Sequence, residues 1–318
     1  MGDELRFDGR VAIVTGAGGG LGRAHAHLLA ARGATVVVND LGTGDKGGHG
    51  SDTGSAQVVV DEITAAGGRA LADTHSVAER SGAEALVAGA LDQLGRLDIL
   101  VNNAGIIRNR TFLNIGDDEL DPVLDVHLRG AFYVTRPAYE HMKQVGYGRI
   151  VNTSSSSGLF GFFGQTAYAA AKMGLVGFTK TLAIEGVRYG IQVNALAPGA
   201  LTRMTGDVMG AGSETAEAME LSDDELDTAL GPHHVAPVVA WLAHEDCDLT
   251  GQVVSAMGGR VARAFVAVTP GIYEPALSPE AIRDRQAEIL DEAGYVVPGD
   301  GPGESALLQH LKDNYASG

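Results

Sequence analysis

Apolar residues along this chain fall into short runs, with longer stretches of helical periodicity between them. The first two runs are Val11–Thr15 and Thr35–Val38, with a helical pattern from about Leu21 between them. Comparable runs recur at 98–101, 149–153, 191–194 and 252–255. These runs are apolar throughout rather than alternating, which is typical of parallel strands covered on both faces. The pattern predicts an α/β doubly wound fold of the Rossmann type.

The predicted sheet ends near Ser255, and the remaining chain differs in character. We expect one domain over residues 1–260, with a seven-stranded, mostly parallel sheet and helices on both faces. A C-terminal extension follows over residues 261–318. Its part from Pro275 onward is acidic, with a helical stretch near 279–293. A helix packed on the core, an oligomer contact and a disordered tail all remain compatible with this pattern.

Charge and cysteine content narrow the class of protein. With 40 acidic and 23 basic residues the net charge is −17, which argues against a broad surface for nucleic acid or anionic membranes. Cys247 is the only cysteine, so a reducing, cytoplasmic setting is expected. No apolar run approaches the roughly 20 residues that span a bilayer. The histidines at 233, 234 and 244 lack the spacing of a metal motif, so no metal site is predicted.

A glycine-rich segment joins the first predicted strand to the first helix. It runs from Thr15 through Gly16, Gly20 and Leu21 to Gly22. Glycines allow a tight turn close to a pyrophosphate, and a helix N-terminus supplies N–H donors. Asp40 ends the second strand, where a carboxylate can accept bonds from ribose hydroxyls and repel a 2′-phosphate. These features predict a dinucleotide site that prefers NAD.

Tyr168 and Lys172 are one helical turn apart and therefore share a face of the predicted helix. An ammonium beside a phenol favours the ionised form, which can then take a proton from an alcohol. The same spacing also occurs on solvated helix faces. The surrounding motifs favour the catalytic interpretation.

Taken together, these motifs resemble those of the short-chain dehydrogenase/reductase family, and the resemblance covers about residues 6–259. The general motifs are Thr15-Gly16-x-x-x-Gly20-x-Gly22, Asn102-Asn103-Ala104-Gly105, Ser155, Tyr168-x-x-x-Lys172 and Pro198-Gly199. Further segments look like the dehydrogenase part of peroxisomal multifunctional enzymes, in the form of a freestanding bacterial-type homologue. These segments are Arg6–Arg10, Val38–Gly42, Val126–Gly130, Tyr147–Ile150 and Leu182–Gly186.

The resemblance implies roles for the matching residues. Tyr168 would be the general base, Lys172 would lower its pKa and bind the nicotinamide ribose, and Ser155 would hold the substrate oxygen. His127 stands where the wider family commonly has a catalytic asparagine. The residues implied to bind the cofactor, with Ser76 and Val77 flanking adenine, are Thr15, Gly16, Gly20, Leu21, Gly22, Asp40, Ser76, Val77, Asn103, Tyr168, Lys172, Pro198, Gly199, Ala200, Thr202 and Arg203.

His75 departs from the related enzymes, which have an acid before Ser76 and Val77. One adenine contact is therefore left undecided by the sequence. Phe160 and Phe162, in a loop with a third phenylalanine, are candidate substrate contacts. Such aromatic residues can line an apolar pocket or pack against a neighbouring helix, and both interpretations stay open.

The activity that this resemblance implies is NAD-dependent oxidation of a (3R)-3-hydroxyacyl-CoA to a 3-oxoacyl-CoA, in fatty-acid or sterol side-chain degradation. The alternatives are oxidation of a 17-beta-hydroxysteroid or another free secondary alcohol, and a non-catalytic nucleotide-binding role. By analogy with the family, a homodimer or homotetramer is expected.

Overall fold

The computed structural model describes residues 4–42, 54–202, 204–206 and 228–316. Its central sheet has eight strands among these residues, in the order β3-β2-β1-β4-β5-β6-β7-β8. Neighbouring strands from β3 to β7 pair in parallel. The predicted doubly wound Rossmann-type fold is thereby confirmed. The strands are β1 (Val11–Thr15), β2 (Thr35–Asn39), β3 (Arg69–Asp73), β4 (Ile99–Asn102), β5 (Gly148–Thr153), β6 (Ile191–Gly199), β7 (Val253–Met257) and β8 (Arg260–Ala264).

Helices cover both faces of the sheet, as the apolar strands require. Residues of β1 alternate between two cores: Ala12 and Val14 lie in one cluster, and Val11 and Ile13 lie in the other. Both sets are buried, which explains why the run is apolar at every position. The helices are α1 (Gly20–Ala31), α2 (Gly54–Ala65), α3 (Arg80–Leu94), α4 (Asp117–Leu124), α5 (Gly130–Val145), α6 (Ser156–Phe160), α7 (Thr166–Gly186) and α8 (Ala236–Ala243), with a π-helical turn at Asp125–Arg129.

The sheet has one strand more than the seven predicted. β8 follows β7 after only Gly258 and Gly259, whose φ angles are +54° and +80°. Two residues in this left-handed conformation close a tight hairpin, so β8 runs antiparallel to β7. Its sequence mixes arginine with valine and alanine and its outer face is exposed, which conceals it from a search for apolar runs.

The chain divides into two compact units, one up to Arg263 and one from Ala264 onward. The predicted boundary at residue 260 falls at the start of β8. The second unit contains helices α9 (Pro279–Asp284), α10 (Gln286–Ile289) and α11 (Gly301–Ala316), and an antiparallel bridge joins Val268 to Val296. Within the described ranges of the chain, no helix is long and apolar enough to cross a membrane.

Candidate active site

The carboxyl ends of the parallel strands open into one cleft. Strands β2 and β3 lie on one side of β1, and strands β4 to β8 lie on its other side. The loops that leave β1 and β4 therefore run in opposite directions and form a crevice between them. The cleft has a volume of about 670 Å³. Its walls bring together most of the residues predicted for the site: Gly16, Gly20, Leu21, Gly22, Asp40, Ser76, Val77, Asn103, His127, Ser155, Phe162, Tyr168, Lys172, Pro198, Gly199, Ala200 and Thr202.

The turn from β1 into α1 has no room for a side chain at Gly16 or at Gly22. A Cβ atom on Gly16, whose φ is +63°, would lie 2.7 Å from Ala104 Cα, and one on Gly22 would collide with the carbonyl oxygen of Gly16. Gly19 caps α1 without a side-chain hydrogen bond, which leaves the first N–H groups of the helix facing the cleft. This open backbone with its N–H donors fits the diphosphate of a dinucleotide.

Asn103 and Thr15 hold this glycine loop against the end of β4. The side-chain nitrogen of Asn103, Nδ2, donates to Thr15 O at 2.9 Å and to Gly16 O at 3.1 Å. The buried Thr15 hydroxyl accepts bonds from the backbone N–H groups of Asn103 and Ala104, each at 3.0 Å. Thr15 does not line the cleft among the residues described, so it supports the loop from below rather than forming a wall of the site.

Asp40 is tied to the same loop. Its carboxylate accepts bonds from Gly18 N at 2.9 Å, Gly42 N at 2.8 Å and the Ser55 hydroxyl at 3.2 Å. The sequence predicts only a contact to ribose, whereas the structure shows that this carboxylate also orients the glycine loop. An ionised carboxylate has about four acceptor sites, so capacity for a ribose hydroxyl remains.

His75 lies beside the predicted adenine positions and is oriented by a polar network. Its Nδ1 is 2.8 Å from Asp73 Oδ2, and Asp73 Oδ1 accepts a bond from Asn39 Nδ2 at 2.7 Å. His75, Ser76 and Val77 all line the cleft. The adenine contact that the sequence left undecided therefore has a candidate in an imidazole held by Asp73.

Ser155, Tyr168 and Lys172 meet at the floor of the cleft. Ser155 caps α6, accepts a bond from Ser157 N at 3.2 Å and also bonds the Tyr168 hydroxyl. Lys172 is 3% exposed and donates from Nζ to Thr153 O at 2.6 Å. Its Nζ lies 5.4 Å from the centre of the Tyr168 ring. Helix α7 thus places the phenol and the ammonium on one face, as predicted from their spacing.

Burial governs the charges of this trio. It raises the pKa of the Tyr168 phenol above its ordinary value, and the hydrogen bond with Ser155 lowers that pKa by less. Burial also lowers the pKa of Lys172 to about 7. Low-dielectric surroundings disfavour both charged groups. That Lys172, together with the nicotinamide, lowers the pKa of Tyr168 stays a prediction.

His127 lies in the π-helical turn and packs against Tyr168. Its ring meets the Tyr168 ring edge-on, with 5.1 Å between centroids, and its Nε2 is 2.7 Å from Ile106 O and 3.1 Å from Ile106 N. Burial, followed by the nearby charge of Lys172, holds its pKa well below the ordinary histidine value. A neutral imidazole in this place positions the Tyr168 ring and the Ile106 backbone.

The aromatic loop after Ser155 extends from the cleft to the surface. Phe162 lines the cleft, while Phe160 and Phe163 are 80% and 86% exposed. The structure therefore does not support packing of Phe160 and Phe163 against a neighbouring helix. Arg203 lies outside the described residues.

Comparisons with known proteins agree with this geometry. Residues 10–214 match the family described as short chain dehydrogenase. The chain belongs to the short-chain dehydrogenase family. The resemblance read from the motifs is confirmed, and the protein is an enzyme of the class that uses NAD or NADP.

Two curated relatives and one solved structure illustrate the similarity. The peroxisomal multifunctional enzyme type 2 of Mus musculus is 47% identical over 296 residues, which are 92% of this chain and 38% of that protein. A hydroxyacyl-CoA dehydrogenase of Mycobacterium tuberculosis is 42% identical over 268 residues, which cover 80% of this chain and 79% of the relative. The crystal structure of a short chain dehydrogenase from Mycobacterium avium has a TM-score of 0.75 and 44% identity, and covers 89% of this chain and 95% of its own.

Several cleft residues of this short-chain dehydrogenase were missed from the sequence, and Gln165 is one of them. Gln165 is buried, lines the cleft and immediately precedes α7. The available signal was its spacing, because it lies one helical turn before Tyr168. In the described parts of the chain, no cluster of three or more His, Cys, Asp or Glu side chains suits a metal ion.

Proposed function

We propose that this enzyme oxidises (3R)-3-hydroxyacyl-CoA to 3-oxoacyl-CoA with NAD. The observation that carries the proposal is that Ser155, Tyr168 and Lys172 lie on the floor of the same cleft that is walled by the glycine loop. The acyl-CoA class is supported by the relative named as a hydroxyacyl-CoA dehydrogenase.

The residues of the chain divide the work of an alcohol oxidation. Ser155 holds the substrate oxygen next to Tyr168, which takes the hydroxyl proton as the carbon–hydrogen bond breaks. Bound NAD supplies the hydride acceptor and a positive ring that favours the phenolate. Because burial raises the pKa of Tyr168, proton removal depends on charge brought near the phenol. His127 keeps the phenol oriented, and Lys172 is placed to bind the ribose of the same cofactor.

The proposed preference for NAD is supported by the carboxylate of Asp40 in the nucleotide site. Asp40 lies against Gly18, where its carboxylate also accepts the Gly18 N–H. A 2′-phosphate would bring a dianion close to this carboxylate and be repelled. The hydroxyls of NAD can instead donate to it.

The test is NADH formation from purified enzyme with a (3R)-3-hydroxyacyl-CoA and with its (3S) isomer. We expect turnover of the (3R) isomer with NAD and at least tenfold lower kcat/KM with NADP. The free 3-hydroxy acid and a 17-beta-hydroxysteroid complete the panel. Faster oxidation of either compound than of the thioester would replace the proposed substrate, and equal rates for the two isomers would refute the assigned stereochemistry.

A further inference from the structure

His75 lies in the cleft wall just after β3, the strand at one edge of the sheet. Strand β3 is next to β2, which leads to Asp40, and β2 is next to β1, which leads into the glycine loop. The ends of β2 and β3 lie side by side, because Asp40 N donates to Asp73 O at 3.0 Å. His75 is therefore at the outer end of the cleft, on the side of β1 opposite to Ser155, which follows β5.

The direction of the cofactor in the cleft follows from the chemistry of its parts. Hydride transfer requires the nicotinamide next to Ser155 and Tyr168, and the diphosphate fits the glycine loop after β1. One continuous cleft includes these groups and His75. Because the two halves of an extended dinucleotide leave the diphosphate in opposite directions, the second nucleoside must cross the ends of β2 and β3. With its ribose at Asp40, its base reaches the wall that contains His75.

A carboxylate fixes which ring nitrogen of His75 carries the proton. Asp73 Oδ2 is 2.8 Å from His75 Nδ1, and Asp73 Oδ1 accepts bonds from Asn39 Nδ2 at 2.7 Å and from the His75 backbone N–H at 3.0 Å. An ionised carboxylate only accepts hydrogen bonds, so Nδ1 is the protonated nitrogen of the neutral ring and Nε2 is left as an acceptor. Nε2 has no hydrogen bond to another described residue, and the side chain of His75 is 51% exposed, so the ring is accessible to a ligand.

We infer that Nε2 of His75 accepts a hydrogen bond from the 6-amino group of the adenine base of the cofactor. This inference rests on the proposed function, because it requires a nicotinamide adenine dinucleotide in the cleft. Adenine has an N–H donor at position 6, whereas hypoxanthine has a carbonyl oxygen there, which only accepts. Two acceptors that face each other repel, so the site distinguishes the two bases. Sliding hypoxanthine to offer its N1–H instead would pull the ribose away from Asp40.

Asp73 is a positioning residue in this arrangement, because it acts on the base only through the imidazole. An asparagine at position 73 can present either its oxygen or its N–H group to Nδ1 of His75. Both tautomers of the imidazole then become available, and Nε2 can donate to hypoxanthine as well as accept from adenine. Asp73→Asn should therefore remove the preference between the bases although His75 itself is retained.

The experiment compares the binding of NADH with that of its deaminated form, in which hypoxanthine replaces adenine. The Kd of each is measured by calorimetric titration at pH 7.5, where histidine side chains are ordinarily neutral. The test variants are His75→Ala, which removes the imidazole, and Asp73→Asn. His27→Ala is the matched control, because His27 also pairs with a carboxylate, that of Glu62 at 3.0 Å, and is not among the described residues of the cleft wall.

We expect the wild type and His27→Ala to bind NADH about fivefold more tightly than the deaminated form, and His75→Ala and Asp73→Asn to lose this preference. Equal weakening of both cofactors in His75→Ala, with the preference retained, would show that the ring only stacks on the base and would overturn the inference. Full retention of the preference in Asp73→Asn would overturn it as well. A wild type that binds both cofactors equally well would refute the inference and leave the proposed function intact. If the wild type binds neither cofactor, the proposed function fails, and the inference fails with it.

Discussion

The burial of Lys172 should lower the free energy of unfolding by an amount that depends on pH. Its pKa falls from 10.5 to about 7 because the ammonium loses its water inside the fold. One pKa unit corresponds to about 1.4 kcal/mol, so keeping this group charged in the folded state costs up to about 5 kcal/mol. Lys172→Met removes the charge and with it this cost.

The sign of the pH dependence follows from proton binding. Between about pH 7 and 10.5 the unfolded chain keeps the Lys172 proton, whereas the folded protein releases it. The free energy of unfolding of the wild type therefore rises with pH over this window, by about 2 kcal/mol between roughly pH 7 and 9. The cost is present in full below the folded-state pKa and absent above the unfolded-state pKa. Lys172→Met should lack this rise.

Reversible urea unfolding at a series of pH values measures the effect at fixed protein concentration. The quantity to follow is the difference in unfolding free energy between Lys172→Met and the wild type. The variant also leaves Thr153 O without the lysine bond, but that loss does not depend on pH and cancels along the series. Lys180→Met on the same helix is the control and should follow the wild type, because it leaves Lys172 in place. Parallel curves for Lys172→Met and the wild type would refute the reasoning.

Three other predictions concern the site. Tyr168→Phe should lower turnover by about 10²–10⁴-fold while NAD still binds, as measured by steady-state kinetics and calorimetry; retained turnover would remove Tyr168 as the base. Gly22→Ala should lower stability by about 1–3 kcal/mol and weaken NAD binding, because its Cβ would lie 2.6 Å from Asn103 Nδ2. Gly19→Ala, with no atom within 4 Å of its added Cβ, serves as the stability control, and equal melting temperatures for the two alanine variants would contradict the packing argument. Asp40→Asn should narrow the preference for NAD over NADP in kcat/KM by removing the charge that repels a 2′-phosphate, and an unchanged ratio would place that preference elsewhere.

The interior of the sheet was predictable, and its edges were not. The central strand β1 is buried on both faces, so its sequence contains an uninterrupted apolar run from Val11 to Val14. The edge strands β3 and β8 are partly exposed and contain charged residues. An edge strand has one neighbour and more contact with water, so its composition resembles that of a loop. The Gly-Gly turn before β8 was the remaining signal.

The candidate site shows a similar division. The glycine loop, Asp40, Ser155, Tyr168 and Lys172 could be named because their spacing in the chain reflects local geometry: a strand, a turn and one helix face. Gln165 belongs to the same helix start, but its burial and its place in the cleft wall depend on tertiary packing. The anchoring of His75 by Asp73 depends on a network that joins the ends of β2 and β3.

By itself, the sequence determined the doubly wound fold, the family and the candidate site residues, because hydrophobic period and motif spacing are local properties of the chain. Only the tertiary structure decided the electrostatics of the site. Considered only as a pair on a helix, the Lys172 ammonium favours the Tyr168 phenolate, and the phenolate favours the ammonium. Buried in the fold, both are instead shifted towards their neutral forms, since desolvation depends on every atom that surrounds a group and not only on its neighbours in sequence.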